Sequence, residues 1–302
     1  MNSAVKLPNF LIIGVQKAGT TSIYNYLKEH PQVYMSPVKE PNFLARDPNK
    51  DPKDIKPVPS HKKRIDTFEK YCELFQGVTD EIAIGEASPN YMANYPIAIQ
   101  QIKHYMPDAK LIAILRNPAD RAYSDYLMHI RDAIGKPRSL SEQIRKKGKE
   151  SATLKKGFYG EHLSYFYDQF EPDQIKVFLY EELRENSQGL MRQIYQFIGV
   201  DETYTPDTSK KSQVAKLPKN QTLNKMLHTH NPLRKTTAKV LKSLFPAHLV
   251  ENFRQKLMDL NQSQEKIPSL SAEERQQLIE FYREDILKLQ ELINRDLSHW
   301  LV

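Results

Sequence analysis

Short apolar runs alternate with longer amphipathic stretches through the first two thirds of the chain. The clearest runs cover residues 10–13, bounded by Pro8 and Gly14, and residues 111–115, with the sequence LIAIL. Runs of this length without polar alternation are typical of strands that are buried on both faces of a sheet. Weaker examples predict further strands at residues 32–35, 82–85 and 175–180.

The stretches between these runs carry apolar residues at helical spacing. Leu163, Phe166 and Phe170 fall at positions i, i+3 and i+7, which places one apolar stripe on the inner face of a helix. Ser271 and Glu274 form an S-x-x-E capping box, which predicts the start of a C-terminal helix. The other predicted helices lie near residues 20–30, 96–106, 118–133, 160–170 and 186–198.

This alternation predicts an α/β fold with three α/β/α layers, a central parallel sheet of about five strands and helices on both faces, and the glycine-rich loop after the first strand makes it a fold of the P-loop type. Ligands on such sheets bind at the carboxyl ends of the strands. The glycine loop after the first strand, Glu86 after the third and Arg116 after the fourth are therefore expected at the same edge.

The length of 302 residues suits one large domain, and we expect a single domain over residues 1–302. Residues 45–65 are rich in proline, aspartate and lysine, which predicts a long, variable loop on the substrate side. Residues 205–302 are predicted to combine a loop with helices, including an amphipathic helix near 222–260.

The composition excludes several kinds of site. Cys72 is the single cysteine, so the chain has no internal disulfide and no cysteine-rich metal site. The histidines show no H-x-x-x-H or H-E-x-x-H spacing, so no metal is expected. The apolar run FLIIGV is too short to span a bilayer or to form a signal-peptide core, so we expect a cytoplasmic protein without integral membrane contact.

The net charge of +7 is unevenly distributed. Residues 136–156 carry eight basic side chains against two acids, and residues 210–225 carry five lysines and no acid. Such tracts are typical either of solvated surfaces or of a site for an anion with several phosphates or a polyanionic partner. Nucleic acid is not expected as a partner, because the sequence has no zinc-finger spacing, RNP-like aromatic motif or uninterrupted basic helix.

The loop after the first strand, GVQKAGTTS, has the spacing of a phosphate-binding loop. Gly14 and Gly19 hold the two glycine positions of G-x-x-x-x-G, and Thr21 holds the hydroxyl position. Thr20, however, stands where nucleotide hydrolases have lysine, and Lys17 lies inside the loop. The backbone N–H groups of the loop and of the following helix predict an anion cradle.

Arg116 argues against a metal-dependent hydrolase. Such an enzyme holds Mg²⁺ with a loop hydroxyl and an acidic residue at the end of a neighbouring strand. Here the neighbouring strand ends in Arg116, which repels Mg²⁺ and can grip a phosphate with two hydrogen bonds. Asn117 and Pro118 then start a helix that places Ser124 two turns further on. The sequence therefore predicts an anion site that needs no metal.

Four segments in order, VQKAGTTS, KEPNFL, GEASPNY and LRNPADRAYSDY, together resemble the sulfotransferases that use 3′-phosphoadenosine 5′-phosphosulfate (PAPS). The resemblance is closest to the branch that contains bacterial and heparan-sulfate-type enzymes. It extends from about residue 7 to residue 200 and more weakly through the C-terminal helix. It implies PAPS as cofactor, 3′-phosphoadenosine 5′-phosphate (PAP) as product and no metal.

The resemblance also implies which residues contact the cofactor. Lys17 would contact the oxygen that bridges sulfuryl and phosphate, and Arg116 and Ser124 would bind the 3′-phosphate. Tyr159 lies where the family often places an aromatic residue beside the cofactor, with a packing role as the alternative. A basic loop closes over the cofactor, and residues 210–219 are its candidate. The further cofactor candidates are Gln16, Ala18, Gly19, Thr20, Thr21, Ser22, Lys216 and Lys219.

On the acceptor side, the K-E-P-x-F motif implies that Glu40 is the base that deprotonates an acceptor hydroxyl. His129, one turn past Ser124, is the alternative base or a residue that lines the pocket. Ala87 and Asn42 replace a lysine and a histidine that are common in the heparan-sulfate-type branch, which argues against a sulfated-polysaccharide acceptor. The substrate-binding candidates are Lys39, Phe43, Glu86 and Asn90.

We therefore expect a PAPS-dependent sulfotransferase that acts on the hydroxyl group of a small metabolite or natural product by in-line transfer. A glycan or lipid acceptor is the alternative. A P-loop kinase is disfavoured by the displaced lysine and by Arg116. A non-catalytic protein that binds polyanions is disfavoured by the intact loop and the candidate base.

Overall fold

The computed structural model describes residues 6–48, 65–134, 138–208, 218–220, 222–224, 256–257, 260–261 and 269–302. Most of the predicted loop 45–65, most of the basic loop 210–219 with Lys216, and most of the predicted helix near 222–260 lie outside these residues.

The predicted parallel sheet is confirmed. Its strands pair in the order β2-β3-β1-β4-β5, and every pairing is parallel. β1 and β3 are buried along their whole length, as expected for strands with helices on both faces. The strands are β1 (Phe10–Gly14), β2 (Val33–Met35), β3 (Ala83–Ala87), β4 (Lys110–Leu115) and β5 (Ile175–Leu179).

The strand bounds differ from the predicted ones by one or two residues, and the difference at β3 affects a candidate site residue. β3 was predicted to end at Gly85, with Glu86 following it, but Glu86 lies inside β3 opposite Leu11 of β1. The strand continues because the buried Glu86 carboxylate accepts hydrogen bonds from side-chain hydroxyls, which compensates for its burial.

The other predicted helices are present, with ends shifted by a few residues. The C-terminal helix starts after the predicted capping box, since Glu274 N donates to Ser271 Oγ at 3.2 Å. The helices over residues 68–72, 140–147 and 180–185 were not predicted. The helices are α1 (Thr20–Glu29), α2 (Phe68–Cys72), α3 (Tyr95–Tyr105), α4 (Pro118–Arg131), α5 (Leu140–Lys147), α6 (Tyr159–Tyr167), α7 (Tyr180–Glu185), α8 (Ser187–Ile198) and α9 (Ala272–Ile293).

The chain divides into two compact units that are each discontinuous in sequence. The first unit comprises Met1–Arg121, Lys155–Ser212 and Ile279–Val302, and it contains the whole sheet. The second comprises Ala122–Leu154 and Gln213–Leu278, and it contains α5. The single domain over residues 1–302 stays a prediction.

The order of the strands places a switch point between β1 and β4. After β1 the chain forms β2 and β3 on one side of β1, and it then forms β4 and β5 on the other side. In open α/β sheets, ligands bind in the crevice at such a point, outside the carboxyl ends of the strands. The glycine loop after β1 and Arg116 after β4 flank this crevice.

No described helix is long and apolar enough to cross a membrane. The predicted cytoplasmic location stays a prediction.

Candidate active site

The glycine loop makes a tight turn between β1 and α1. Gly19 has a left-handed φ of 84°, and a Cβ at this position would lie 2.4 Å from Leu183 Cδ2. A Cβ at Gly14 would lie 2.8 Å from Met92 Sδ. A side chain at either position would have to displace a neighbouring one, and at Gly19 the left-handed backbone also favours glycine. Lys17 adopts a left-handed φ of 76° without being glycine.

The N-terminus of α1 is suited to an anion. Gly19 is its N-cap and offers no side-chain acceptor, and the first turn contains no acidic residue. The first N–H groups of a helix lack intrahelical partners, and the helix dipole is positive at this end. Thr20 is buried, Ser22 is half-buried and Thr21 is exposed at this helix start. The loop and helix together offer donors for a phosphate or sulfate group.

Gln16 provides an independent indication of a polar ligand. Its Oε1 is buried and has no hydrogen-bond partner within the described part of the chain. Buried polar atoms in native proteins are nearly always hydrogen-bonded, so this carbonyl oxygen fits a donor on a bound molecule. The N–H donors of the loop and of α1 fit the phosphosulfate of a nucleotide, and the Gln16 oxygen fits a donor elsewhere on that ligand.

Arg116 is held against the glycine loop. Its Nη1 donates to the Lys17 carbonyl oxygen at 3.1 Å, and its guanidinium lies 4.8 Å from the centre of the Tyr180 ring. Tyr159 Oη donates to the Arg116 carbonyl oxygen at 2.9 Å. The structure thus brings Arg116 and Lys17 together at one edge of the sheet. A guanidinium in this geometry retains donors for an anion beside the loop.

Tyr159 has a structural role in this arrangement. The ring is fully buried and packs edge-to-face on Trp300, with the ring centres 6.2 Å apart. Burial raises the pKa of its hydroxyl well above the usual value, so the hydroxyl stays a donor. Of the two predicted roles, packing is the one that these contacts show, and contact with the cofactor stays a prediction.

The predicted base, Glu40, lies next to the end of β3. Its backbone N–H donates to the Ala87 carbonyl oxygen at 2.9 Å, and its φ is a left-handed 61°. Its Oε1 accepts from Lys39 Nζ at 2.8 Å. Both side chains are half-buried, with 20% of Lys39 and 27% of Glu40 exposed, so the carboxylate keeps access to a substrate.

Glu86 lies in β3, next to Ala87, and is fully buried. Oε1 accepts from Tyr71 Oη at 3.3 Å and from Tyr91 Oη, and Oε2 accepts from Ser88 Oγ at 2.8 Å. Burial raises the pKa of this carboxyl to about 7, against the lowering effect of the three hydroxyl donors. Its predicted contact with the acceptor stays a prediction, because its described contacts are all with protein hydroxyls.

The other acceptor-side candidates have mainly structural contacts. Phe43 is buried and stacks on Tyr71, with ring centres 4.7 Å apart. Asn90 accepts at its backbone oxygen from Asn94 N and Nδ2, and its side chain is half-buried. Their predicted contacts with a substrate stay predictions.

Ser124 and His129 belong to the second compact unit. Ser124 is half-buried on α4. His129 Nδ1 lies 3.5 Å from Thr153 Oγ1, and Nε2 lies 4.0 Å from Oδ1 of the fully buried Asp125. Lys219, also in this unit, donates from Nζ to the Leu260 carbonyl oxygen at 3.2 Å. The predicted catalytic and cofactor roles of these residues stay predictions.

Several residues that shape the site were not predicted. Tyr180 follows β5 at the same sheet edge as Arg116, so the rule about carboxyl ends could have found it. Ser88 and Tyr91 stand in the GEASPNY motif but were not singled out. Asp285 had no signal, since it caps α6 from 125 residues away in sequence by accepting from Gly160 N at 2.9 Å. Among the described residues, no group of three or more His, Cys, Asp or Glu side chains is placed to hold a metal ion.

Comparison with known proteins identifies the family. The model of the sulfotransferase domain matches residues 7–285. The bifunctional heparan sulfate N-deacetylase/N-sulfotransferase 1 of Xenopus tropicalis is 26% identical to this protein over 98% of the chain. The bifunctional heparan sulfate N-deacetylase/N-sulfotransferase 2 of Homo sapiens is 31% identical over 65% of the chain. The chain spans only 31% and 22% of the lengths of these two relatives.

A solved structure agrees with this result. The sulfotransferase from Alicyclobacillus acidocaldarius superposes with a TM-score of 0.69 at 26% identity, covering 98% of this chain and 99% of that one. The predicted resemblance is confirmed, and the chain belongs to the sulfotransferase family, a class of group-transfer enzymes.

Proposed function

We propose that this protein transfers a sulfuryl group from PAPS to an acceptor hydroxyl. The observation that carries the proposal is the contact between Arg116 and the Lys17 carbonyl at the carboxyl edge of the sheet. It puts a guanidinium, rather than a metal-binding carboxylate, beside a phosphate-type loop, which supports an anhydride cofactor that is bound without Mg²⁺.

The cofactor is proposed to lie along the crevice between β1 and β4. Residues 16–22 and the N-terminus of α1 hold the 5′-phosphosulfate through their backbone N–H groups and hydroxyls. Arg116 and Ser124 bind the 3′-phosphate, in line with the family resemblance. The remaining proposed contacts are those of Tyr159, Lys216 and Lys219.

The chain's own residues then perform two tasks. Glu40 takes the proton from the acceptor oxygen, and its pairing with Lys39 keeps the carboxylate oriented. Lys17 and the loop N–H groups stabilise the negative charge that develops on the leaving phosphate oxygen, an electrostatic effect that is organised before the reaction. PAPS supplies the activated sulfuryl group. His129 is the alternative proton acceptor.

The proposed acceptor is a small metabolite or natural product that carries a hydroxyl group. Ala87 and Asn42, which depart from the heparan-sulfate-type pattern, support this choice. A glycan is the second candidate, because the relatives in Xenopus tropicalis and Homo sapiens are named for heparan sulfate N-sulfotransferase activity.

The cofactor proposal is tested by ligand-induced thermal stabilisation. PAP should raise the melting temperature in the presence of a chelator, since a ligand that binds only the folded state stabilises it. ATP with Mg²⁺ is the comparison. Stabilisation by ATP that requires Mg²⁺, with no effect of PAP, would overturn the proposal in favour of a kinase or hydrolase.

The acceptor is tested separately by mass spectrometry. The protein is incubated with PAPS and either a metabolite extract or a desulfated glycan, and products are searched for the gain of one sulfuryl group. Modified small hydroxyl compounds are expected, and sulfation of only the glycan would replace the acceptor that we propose. PAP binding without transfer to any acceptor would contradict the enzymatic role.

A further inference from the structure

The residues that carry Glu40 are fastened to the end of β3 by several hydrogen bonds. We call residues 39–45 the base segment. Besides the bond from Glu40 N to the Ala87 carbonyl at 2.9 Å, Asn42 N donates to Ser88 Oγ at 3.1 Å. Leu44 N donates to Tyr91 Oη at 3.3 Å. Two of these three attachments therefore use side-chain hydroxyls as acceptors.

The same two hydroxyls are donors to Glu86. Ser88 Oγ donates to Oε2 and Tyr91 Oη donates to Oε1 of the buried carboxylate. A hydroxyl has one proton and two lone pairs, so each of these groups can donate to Glu86 and accept from the base segment at the same time. Ser88 and Tyr91 are thus bridges between a buried acid and two backbone N–H groups.

The direction of the hydrogen bonds in these bridges depends on the chemistry of Glu86. In its ionised form, which prevails above about pH 7, the carboxylate only accepts, so it turns both hydroxyl protons towards itself and their lone pairs towards Asn42 N and Leu44 N. A group that donates at the same place would compete for those lone pairs. The attachment matters because Glu40 and Asn42 both have left-handed φ values, 61° and 53°, which the surrounding contacts must hold.

We propose that Glu86 is a positioning residue that acts through Ser88 and Tyr91 to hold the base segment, and thereby orients Glu40 towards the acceptor. This inference rests on the proposed function, in which Glu40 is the base. Glu86 itself contacts neither cofactor nor acceptor in this role. Its effect is on the geometry of proton transfer, where small displacements of the base lower the rate strongly.

The chain offers a matched control for this proposal. Tyr71 also donates to Glu86 Oε1, at 3.3 Å, but its described hydroxyl contact does not extend to the base segment. Tyr71→Phe keeps the ring that stacks on Phe43, whereas Tyr91→Phe removes a hydroxyl that reaches Leu44. Both changes delete one donor to the same carboxylate, and only one of them deletes a bridge.

The experiment measures kcat, KM for the acceptor and the Kd of PAP for Tyr91→Phe, Ser88→Ala, Glu86→Gln and Tyr71→Phe. A loss in kcat on the order of 10–100-fold is expected for the first three, with the Kd of PAP within about threefold of wild type. Tyr71→Phe should stay within about threefold in kcat. Circular dichroism and the PAP titration show that each variant is folded.

Glu40→Gln separates this inference from the proposed function. If Glu40→Gln retains turnover, the proposed base is wrong. If Glu40→Gln abolishes turnover while Ser88→Ala and Tyr91→Phe keep wild-type kcat, only the positioning role of Glu86 is overturned. Equal losses in Tyr71→Phe and Tyr91→Phe would also overturn it, because they would show a general effect of disturbing Glu86.

Discussion

At the scale of single residues, Lys17 is the cation that the proposal places on the leaving oxygen. Its Ala variant should lower kcat by about 10²–10³, the usual loss for one preorganised donor at developing charge. The backbone at this position already has a left-handed φ with a non-glycine side chain, so alanine adds no new conformational strain. The check is steady-state kinetics with PAPS, together with a PAP titration.

Lys28 supplies the control for this change. It is an exposed lysine in the last turn of the same helix α1. Lys28→Ala removes the same charge far from the loop and should leave kcat within about twofold, since exposed charges are strongly screened. Turnover of Lys17→Ala within threefold of wild type would exclude the role assigned to Lys17.

The raised pKa of Glu86 predicts how the stability of the folded protein depends on pH. The ordinary pKa of its carboxyl is 4.5, and burial raises it to about 7 in the folded protein. Three hydroxyl donors lower this pKa, while the nearby Glu40 carboxylate, which is itself paired with Lys39, raises it. A raised folded pKa means that the stabilising contribution is complete below about pH 4.5 and is lost as the pH rises through about 7.

Glu86→Gln removes this titration. Between pH 5 and pH 8 the free energy of unfolding of the wild type should fall by roughly 2–3 kcal/mol more than that of the variant. Urea denaturation at several pH values measures both curves, and the comparison cancels the contributions of all other groups. Parallel curves would show that Glu86 titrates near its ordinary pKa.

At the scale of elements, the junction between the loop and α1 depends on Gly19. Gly19→Ala imposes a left-handed φ on a residue with a Cβ and drives that Cβ to within 2.4 Å of Leu183 Cδ2. We expect a loss of stability of more than about 2 kcal/mol and a weaker affinity for PAP, because the start of α1 must shift. Denaturant titration and PAP binding report the two effects.

Gly199 offers a control variant that separates the effect of backbone strain from the effect of a steric clash with Leu183. It ends α8 with a φ of 79°, and a Cβ there would meet no atom of the described residues within 4 Å. Gly199→Ala should lower the free energy of unfolding by about 1–2 kcal/mol, which is the strain of a left-handed φ alone, and should leave PAP binding unchanged. Equal losses for the two variants would mean that the contact with Leu183 relaxes at no cost.

The sequence predicts the elements of the sheet well and the contacts between distant segments poorly. The run LIAIL was predicted as a strand over residues 111–115 and lies within β4. The predicted end of β3 was wrong because a glutamate in an apolar run is normally a boundary. Here the hydroxyls of Tyr71 and Tyr91, which come from outside the strand, make its burial possible. The helix α7 was missed because YEELRE shows no apolar period.

The candidate site was likewise predicted in part from the sequence. Arg116 and the glycine loop were placed at one edge by a topological rule, and the structure brings them into contact. The function of Tyr159 could not be settled from sequence, because its hydroxyl partner is a backbone oxygen 43 residues away. A local pattern carries no information about such pairs.

At the scale of the whole molecule, the C-terminal segment completes the sheet-containing unit. Asn117, at the start of α4, donates from Nδ2 to the Trp300 carbonyl oxygen at 3.4 Å, and Arg295 pairs with Glu182 of α7 at 2.9 Å. Trp300 is buried against Tyr159. Residues near the end of the chain therefore support the side chains that surround Arg116.

Asp285 of the C-terminal helix makes two further long-range hydrogen bonds. Its two carboxylate oxygens accept from Gly160 N at 2.9 Å and from Glu161 N at 2.8 Å, so a residue of α9 caps the N-terminus of α6. Asp285→Ala should lower the free energy of unfolding by about 1–2 kcal/mol, because the buried Gly160 N–H and the half-buried Glu161 N–H lose their acceptor. Denaturant titration measures the loss.

The cap should also affect ligand binding, because α6 begins at Tyr159, whose hydroxyl holds the Arg116 backbone. We expect the affinity of Asp285→Ala for PAP to fall by a few fold, on the order of 1 kcal/mol. Asp296→Ala is the control, since the described hydrogen bonds of the exposed Asp296 are local ones with Ser298, and both quantities should change little. A stability loss in Asp285→Ala with unchanged PAP affinity would show that the cap supports the fold without reaching Arg116.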